Sequence, residues 1–124
     1  MSNNFKSIDN LFLVRRFWSD FGIKYYLCEY NDGIRLEELV VPKDKRKQGI
    51  GSLAMNCLIG YADNAQKRIV LSPSIDHGAS SLNRLFKFYG RFGFVRNKGR
   101  HKDYSLSYTM YRLPLAKEGK HEAC

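Results

Sequence analysis

Apolar residues recur every three or four positions at the start of the chain and at every second position soon after. Ile8, Leu11, Val14 and Trp18 have helical spacing, which predicts a helix from about Ser7 to Ser19 with Ser7 or Asp9 as N-cap. From Phe21 to Tyr30 the pattern alternates, with Ile23, Tyr25 and Leu27 on one side and Lys24, Tyr26 and Cys28 on the other, as a strand requires. Asn31-Asp32-Gly33 supplies left-handed turn conformations and predicts a hairpin whose return strand is Ile34 to Val41. The clearest element follows. Ile50, Leu53, Ala54, Cys57, Leu58, Tyr61, Ala62 and Ala65 repeat at three and four residues over four turns, a long amphipathic helix.

Arg68 to Leu71 reads as a short buried strand closed by Ser72-Pro73. A helix separates it from the strand before, so it is expected to run parallel to that strand through a right-handed crossover. After a polar loop, Ser74 to Ser80, a second helix places Leu82, Leu85, Phe86 and Tyr89 on one face. Phe92 to Val95 starts another strand, a basic turn runs from Arg96 to Lys102, and Tyr104 to Leu113 alternates as the last strand. The order predicts one mixed α/β domain over residues 1–115, with a loose polar tail at 116–124.

Composition narrows the class. At 124 residues, with 44% hydrophobic and 14% aromatic residues, the chain suits one folded domain rather than a disordered segment. No apolar run reaches the length of a membrane span. The N-terminus MSNNFKSIDN has no basic region followed by an apolar one, so no export signal is expected. Cys28, Cys57 and Cys124 form no C-x-x-C pair; Cys28 and Cys57 read as packed thiols, and a reducing cytoplasm is the inference. The net charge of +9 predicts attraction to nucleotide phosphates, nucleic acid or an acidic protein without choosing among them. A basic surface that merely aids solubility is the plain alternative.

One segment carries chemistry. Arg46-Lys47-Gln48-Gly49-Ile50-Gly51-Ser52 lies between the strand residues Leu39-Val40-Val41 and the long helix. Glycines at such a crossing let the backbone lie close to a ligand, and the first helical amides lack internal acceptors. Together they make a site for a phosphate-type anion, reinforced by Lys43, Lys45, Arg46 and Lys47; a Gly-rich turn on a basic surface is the bland reading.

With these elements placed, the chain resembles the GCN5-related N-acetyltransferases. Arg46, Gly49 and Gly51 match that superfamily's cofactor motif, and Phe88-Tyr89-Gly90-Arg91-Phe92-Gly93-Phe94 matches its later aromatic-Tyr and Gly-Phe pattern. The resemblance covers Leu36 to Phe94 and implies an N-terminally shortened version of that fold, with a splayed central pair of parallel strands. It implies acetyl-CoA as cosubstrate and no metal. The pantetheine arm would pair with the backbone of Leu39, Val40 and Val41, and the pyrophosphate would rest on the amides of Arg46 to Ser52. The family's asparagine position is held by Leu82, with Asn83 one residue late, so Asn83 is carried as a cofactor contact that departs from the pattern.

Acyl transfer to an amine needs an oxyanion donor, which the resemblance places at the backbone amide near Val40 or Val41. It needs an acid for the leaving thiolate, for which Tyr89 matches; read without the motif, Tyr89 is a core tyrosine. It also needs a base, because a lysine-like ammonium has a pKa of about 10.4. Glu38 and Glu37 are the leading candidates, pointing to opposite faces of a strand so that one shares a side with apolar neighbours. His77 and Asp76 follow, and relay by water needs none of them. The implied acceptor is a protein lysine or another macromolecular amine, on an acidic or nucleic-acid-associated partner. Two other readings stand beside it. One is a nucleic-acid module built on Arg96, Lys98, Arg100 and Lys102 near Tyr104 and Tyr108. The other is an acyl-CoA-binding regulator without catalysis.

Overall fold

The structure is a computed structural model. It describes residues 2–31, 33–46, 48–73, 82–105 and 107–115, apart from the side chains of 2–10 and 101. The predicted N-cap side chains, the loop from Ser74 to Ser80 and the tail at 116–124 therefore lie outside what is described. Helix α1 spans Ser2–Asp20, and strands β1 (Lys24–Tyr30) and β2 (Gly33–Val40) form the hairpin. Helix α2 (Ile50–Ala65) leads to β3 (Arg68–Leu71), then α3 (Leu82–Gly90), β4 (Val95–Arg96) and β5 (Met110–Arg112). The sheet order is β1-β2-β3-β5-β4, and β3 runs parallel to β2, as the crossover rule requires.

Register separates the two faces. Leu27, Leu36, Leu71, Met110 and Arg96 form one cross-strand row, and Glu29, Ile34, Ile69 and Arg112 form another. Their apolar members belong to one buried cluster that also holds Trp18, Met55 and Leu58; each such side chain contributes about 1.5–3 kcal/mol on burial. All three helices pack on this face. The α2 residue Tyr61 donates its hydroxyl to Glu29, Asp63 of α2 pairs with Arg112, and Arg96 lies over the ring of Phe86 in α3. Trp18 of α1 donates its indole N–H to the Ala54 carbonyl at 3.0 Å. No described helix covers the other face, whose central row is Cys28, Arg35, Val70, Tyr111 and Val95.

Several expected boundaries move. α1 begins at Ser2, so Ser7 and Asp9 lie inside it rather than at its N-cap position. In α2, Leu53 is half exposed and Ala65 is exposed, while Met55 is fully buried: the inward stripe is rotated by part of a turn from the one read in sequence. Leu82 likewise faces out. Gly33 is a strand residue rather than a left-handed one; a Cβ there would meet the Arg68 carbonyl at 2.7 Å. The strand expected from Tyr104 to Leu113 shrinks to three residues. Asn97 explains it: its buried amide nitrogen donates to the Asp103 carbonyl at 3.1 Å, and its oxygen accepts the Asp103 N–H at 2.9 Å. Side-chain bonds replace ladder bonds along that loop. No described helix is long and apolar enough to cross a membrane.

Candidate functional site

The site begins at an irregularity in β2. Leu27 pairs with Leu36, but the preceding Tyr26 pairs with Glu38, so Glu37 is an extra residue on β2. Such a bulge bends its strand and re-aims side chains. Ile34 and Leu36 are inward before it, whereas Leu39 and Val41 pack on the core after it; the inward phase shifts by one. The expectation that Glu37 and Glu38 simply face opposite ways is thereby corrected, and both border the same cleft.

The bulge is also where the parallel strands part. Pairing between β2 and β3 ends at Leu36–Leu71, and β2 continues to Val40 with β1 alone beside it. The gap opens into a cleft of about 690 Å³ walled by the β2 residues from Leu36 to Val40, by Val41, Leu71, Ser72 and Pro73, and by parts of α2 and α3. One edge of β2 thus presents backbone groups to open space over roughly 13 Å, four residues at about 3.3 Å each.

At the far end lies the start of α2. Gly49 sits at φ +78 in the left-handed region, no side chain caps the helix, and its first turn holds no acid. The first intrahelical bond runs from the Leu53 N–H to the Gly49 carbonyl, which leaves the amides of Ile50, Gly51 and Ser52 without helical acceptors. A Cβ on Gly49 would meet no atom within 4 Å, and one on Gly51 would meet Phe88 at 3.4 Å. Gly49 therefore serves its backbone angle and keeps free space before the helix. Arg46 ties the approach by donating from Nε to the Val41 carbonyl at 2.8 Å. That bond engages one of the backbone groups expected to pair with a pantetheine arm.

Tyr89 of α3 borders the cleft from the opposite wall. It is buried, edge-on to Phe88 and Phe94 with centroids 5.1 and 5.8 Å away. Its hydroxyl has no hydrogen-bond partner among the described residues, and burial pushes its pKa up to about 12. Gly93 and Phe94 account for the rest of the motif: Phe94 braces Tyr89, and Gly93 at φ +92 makes room for Arg112, whose Nε lies 3.2 Å from where a Cβ would stand.

The cleft is polarised. Lys45 and Arg46 stand beside the α2 terminus, and Arg84 of α3 and Arg91 in the turn just after it also line the wall. The carboxylates gather at the bulge: Glu38 lies 3.9 Å from Lys24 Nζ, and Glu37 accepts the Tyr108 hydroxyl at 2.8 Å. Sequence reasoning missed Tyr108 in this role, because only the fold of the loop after β4 brings it to β2. Gln48 turns away, donating to the Asp44 carbonyl, and Asn83 is exposed on α3 outside the cleft lining. Lys47, Asp76 and His77 lie outside the described residues. Cys57 packs against the core, with burial raising its thiol pKa, which suits an inert thiol.

No family model and no curated protein matches the sequence. Among solved structures, the chain superposes on Ard1 from Thermoplasma volcanium with a TM-score of 0.55 at 20% identity, over 86% of this chain and 78% of that one. Naa20 from Chaetomium thermophilum, solved with a bisubstrate analogue, gives 0.50 at 19% identity, over 74% of this chain and 58% of that one. A chain assigned to the GNAT acetyltransferases from Bacteroides thetaiotaomicron gives 0.46 at 19% identity, over 82% and 58% respectively. At such identities the likeness is one of fold: the chain has the mixed α+β fold of the GCN5-related N-acetyltransferases.

Proposed function

We propose that this chain is an acetyl-CoA-dependent N-acetyltransferase, moving an acetyl group from the thioester to a macromolecular amine by direct attack in a ternary complex. One observation carries the reading. The parting of β2 and β3 at the Glu37 bulge, the uncapped amides of α2 and the Tyr89 ring all border a single cleft. The diphosphate of acetyl-CoA would rest on the amides of Ile50 to Ser52, where the helix dipole adds about 0.3–1 kcal/mol per favourable charge. Arg46 and Lys45 flank that end. The pantetheine amides would pair with the free edge of β2 as an added strand.

The chemistry then falls at the bulge. A neutral amine attacks the thioester carbon, the carbonyl electrons move onto oxygen, and the backbone amide near Val40 or Val41 stabilises that charge. Collapse breaks the carbon–sulfur bond. Tyr89, held neutral well above physiological pH, donates to the sulfur as its charge grows. A free thiol titrates at about 8.5, so complete transfer from a phenol near 12 is uphill, and the hydroxyl acts chiefly as a hydrogen-bond donor to the departing thiolate. The amine proton goes to Glu38 or Glu37, directly or through water.

The test is thiol release from acetyl-CoA in the presence of amine-bearing polymers, with cofactor binding followed by calorimetry. Turnover is expected in the native chain. In Gly49→Val, affinity is expected to fall about a hundredfold, because a β-branched side chain strains the φ +78 position and fills the space before the amides. Unaltered binding in that variant removes the diphosphate from this site. In Glu38→Gln the rising limb of the pH–rate profile is expected to disappear; survival of the limb there and in Glu37→Gln assigns the proton to water.

A further inference from the structure

The sheet face opposite the helices has no part in that chemistry, yet its composition is specific. Arg35 stands at its centre, exposed, with its guanidinium 4.3 Å from the Tyr30 ring and 5.7 Å from the Tyr108 ring. Tyr26 is 60% exposed and Tyr30 42% exposed on the same side of β1, with Tyr111 beyond Val70 in the central row. Large aromatics are uncommon on a solvent face unless something lies on them. The rim continues the theme. Lys98, Arg100 and Lys102 follow one another with no acid among them, and Lys102 Nζ lies 5.2 Å from the ring of Tyr104, which is 83% exposed. This rim is held at the same end of the sheet by Asn97 and by Tyr108 on Glu37. The acids nearby are engaged: Glu37 by Tyr108, Glu38 beside Lys24, and Asp103 by the Ser105 hydroxyl at 2.6 Å.

We propose that this aromatic and cationic sheet face binds single-stranded nucleic acid, with bases stacked on Tyr26 and Tyr30 and phosphates on Arg35 and the rim from Lys98 to Lys102. Stacking platforms set among positive charges are how sheets hold unpaired bases. A second copy of the chain is a poorer occupant, since each copy carries a net charge of +9 and would bring Arg35 to a like-charged face. An acidic protein would satisfy the charges but gives no reason for the exposed rings.

The experiment uses the full chain without any cosubstrate, so its outcome is separate from that of the acetyltransferase reading. A fluorescein-labelled oligouridine of about 16 nucleotides is titrated by anisotropy at low salt, with polyglutamate as the competing polyanion and circular dichroism as the check on folding. Binding is expected to weaken with salt. The double variant Tyr26→Ala/Tyr30→Ala is expected to lose at least about tenfold in affinity, while Tyr26→Phe/Tyr30→Phe retains it. Arg35→Ala is expected to flatten the salt slope by about 0.7, one phosphate's worth on a single strand. No binding at low salt overturns the proposal. So does polyglutamate competing equally while the alanine double variant binds as the native chain does.

Discussion

The two ends of the sheet use their charged groups in opposite ways. At the end away from the cleft, the groups are spent on one another. Glu29 takes the Tyr61 hydroxyl and the Lys67 ammonium, the latter at 2.8 Å. Asp63 holds Arg112 in a two-pronged pair at 2.8 and 3.1 Å, and Arg112 reaches on to the Phe92 carbonyl at 2.7 Å. At the other end Glu38 has Lys24 at 3.9 Å, and Glu37 has a single hydroxyl from a loop. The contrast explains how a gap survives in the middle of a small domain. β2 and β3 are free to part after Leu36 because α2, β5 and the turn before β4 are clamped to each other at the closed end.

Cutting that clamp is the harshest test of the comparison. Arg112 is 5% exposed and Asp63 26%, so Arg112→Ala leaves the Phe92 carbonyl without its donor and Asp63 with the Leu115 N–H but no guanidinium. Breaking a buried pair costs about 3–5 kcal/mol; the solvent reaching Asp63 puts the expected loss near the lower figure, read as a fall in the denaturation midpoint at unchanged slope. If stability holds, the closed end is not what keeps the strands apart.

At the open end the same kind of change should act on rate alone. Tyr89→Phe removes only a hydroxyl that has no protein partner among the described residues, so folding stability is expected to stay within about 1 kcal/mol. Turnover is expected to fall about ten- to a hundredfold, the worth of one hydrogen bond to a charged group, with acetyl-CoA affinity unchanged by calorimetry. Equal turnover makes Tyr89 a core residue and nothing more.

How much of this was legible in the sequence follows from the same division. Features written in local spacing were readable: the hairpin, the α2 helix though not the exact set of its inward residues, the parallel crossover, and the glycines where α2 begins. The Tyr89 motif was readable too, although the reason for Gly93 is Arg112, nineteen residues on. Features made by long-range side-chain bonds were hidden. Nothing in the alternation from Tyr104 to Leu113 reveals that Asn97 folds that stretch into a loop. The bulge at Glu37 arises from β1 pairing out of step, so strict alternation sent the two glutamates to opposite faces where the strand shifts phase between them. Gln48 was carried for its backbone amide, on which its side-chain bond to the Asp44 carbonyl has no bearing. Asn83, by contrast, is exposed on α3 outside the cleft lining, since side-chain direction is set by the helix turn a residue occupies, not by nearness in sequence.

The mildest expected effect concerns protons at the clamp. Burial raises the Asp63 pKa, but the hydrogen bonds from Arg112 and the Leu115 amide, with the Arg112 charge, outweigh it and hold the carboxyl below its ordinary value. The unfolded chain then takes up a proton near pH 3.9 while the folded chain still resists it. Stability from this group is therefore full above about pH 4 and drains away as pH falls through the folded pKa. Asp63→Asn should lower stability at neutral pH by removing the charge from the pair. Its gap from the native chain should narrow steadily below about pH 4 in denaturation curves. A gap constant from pH 7 to the acid limit would mean that Asp63 holds Arg112 by shape alone, and the closed end would owe its grip to packing rather than to charge.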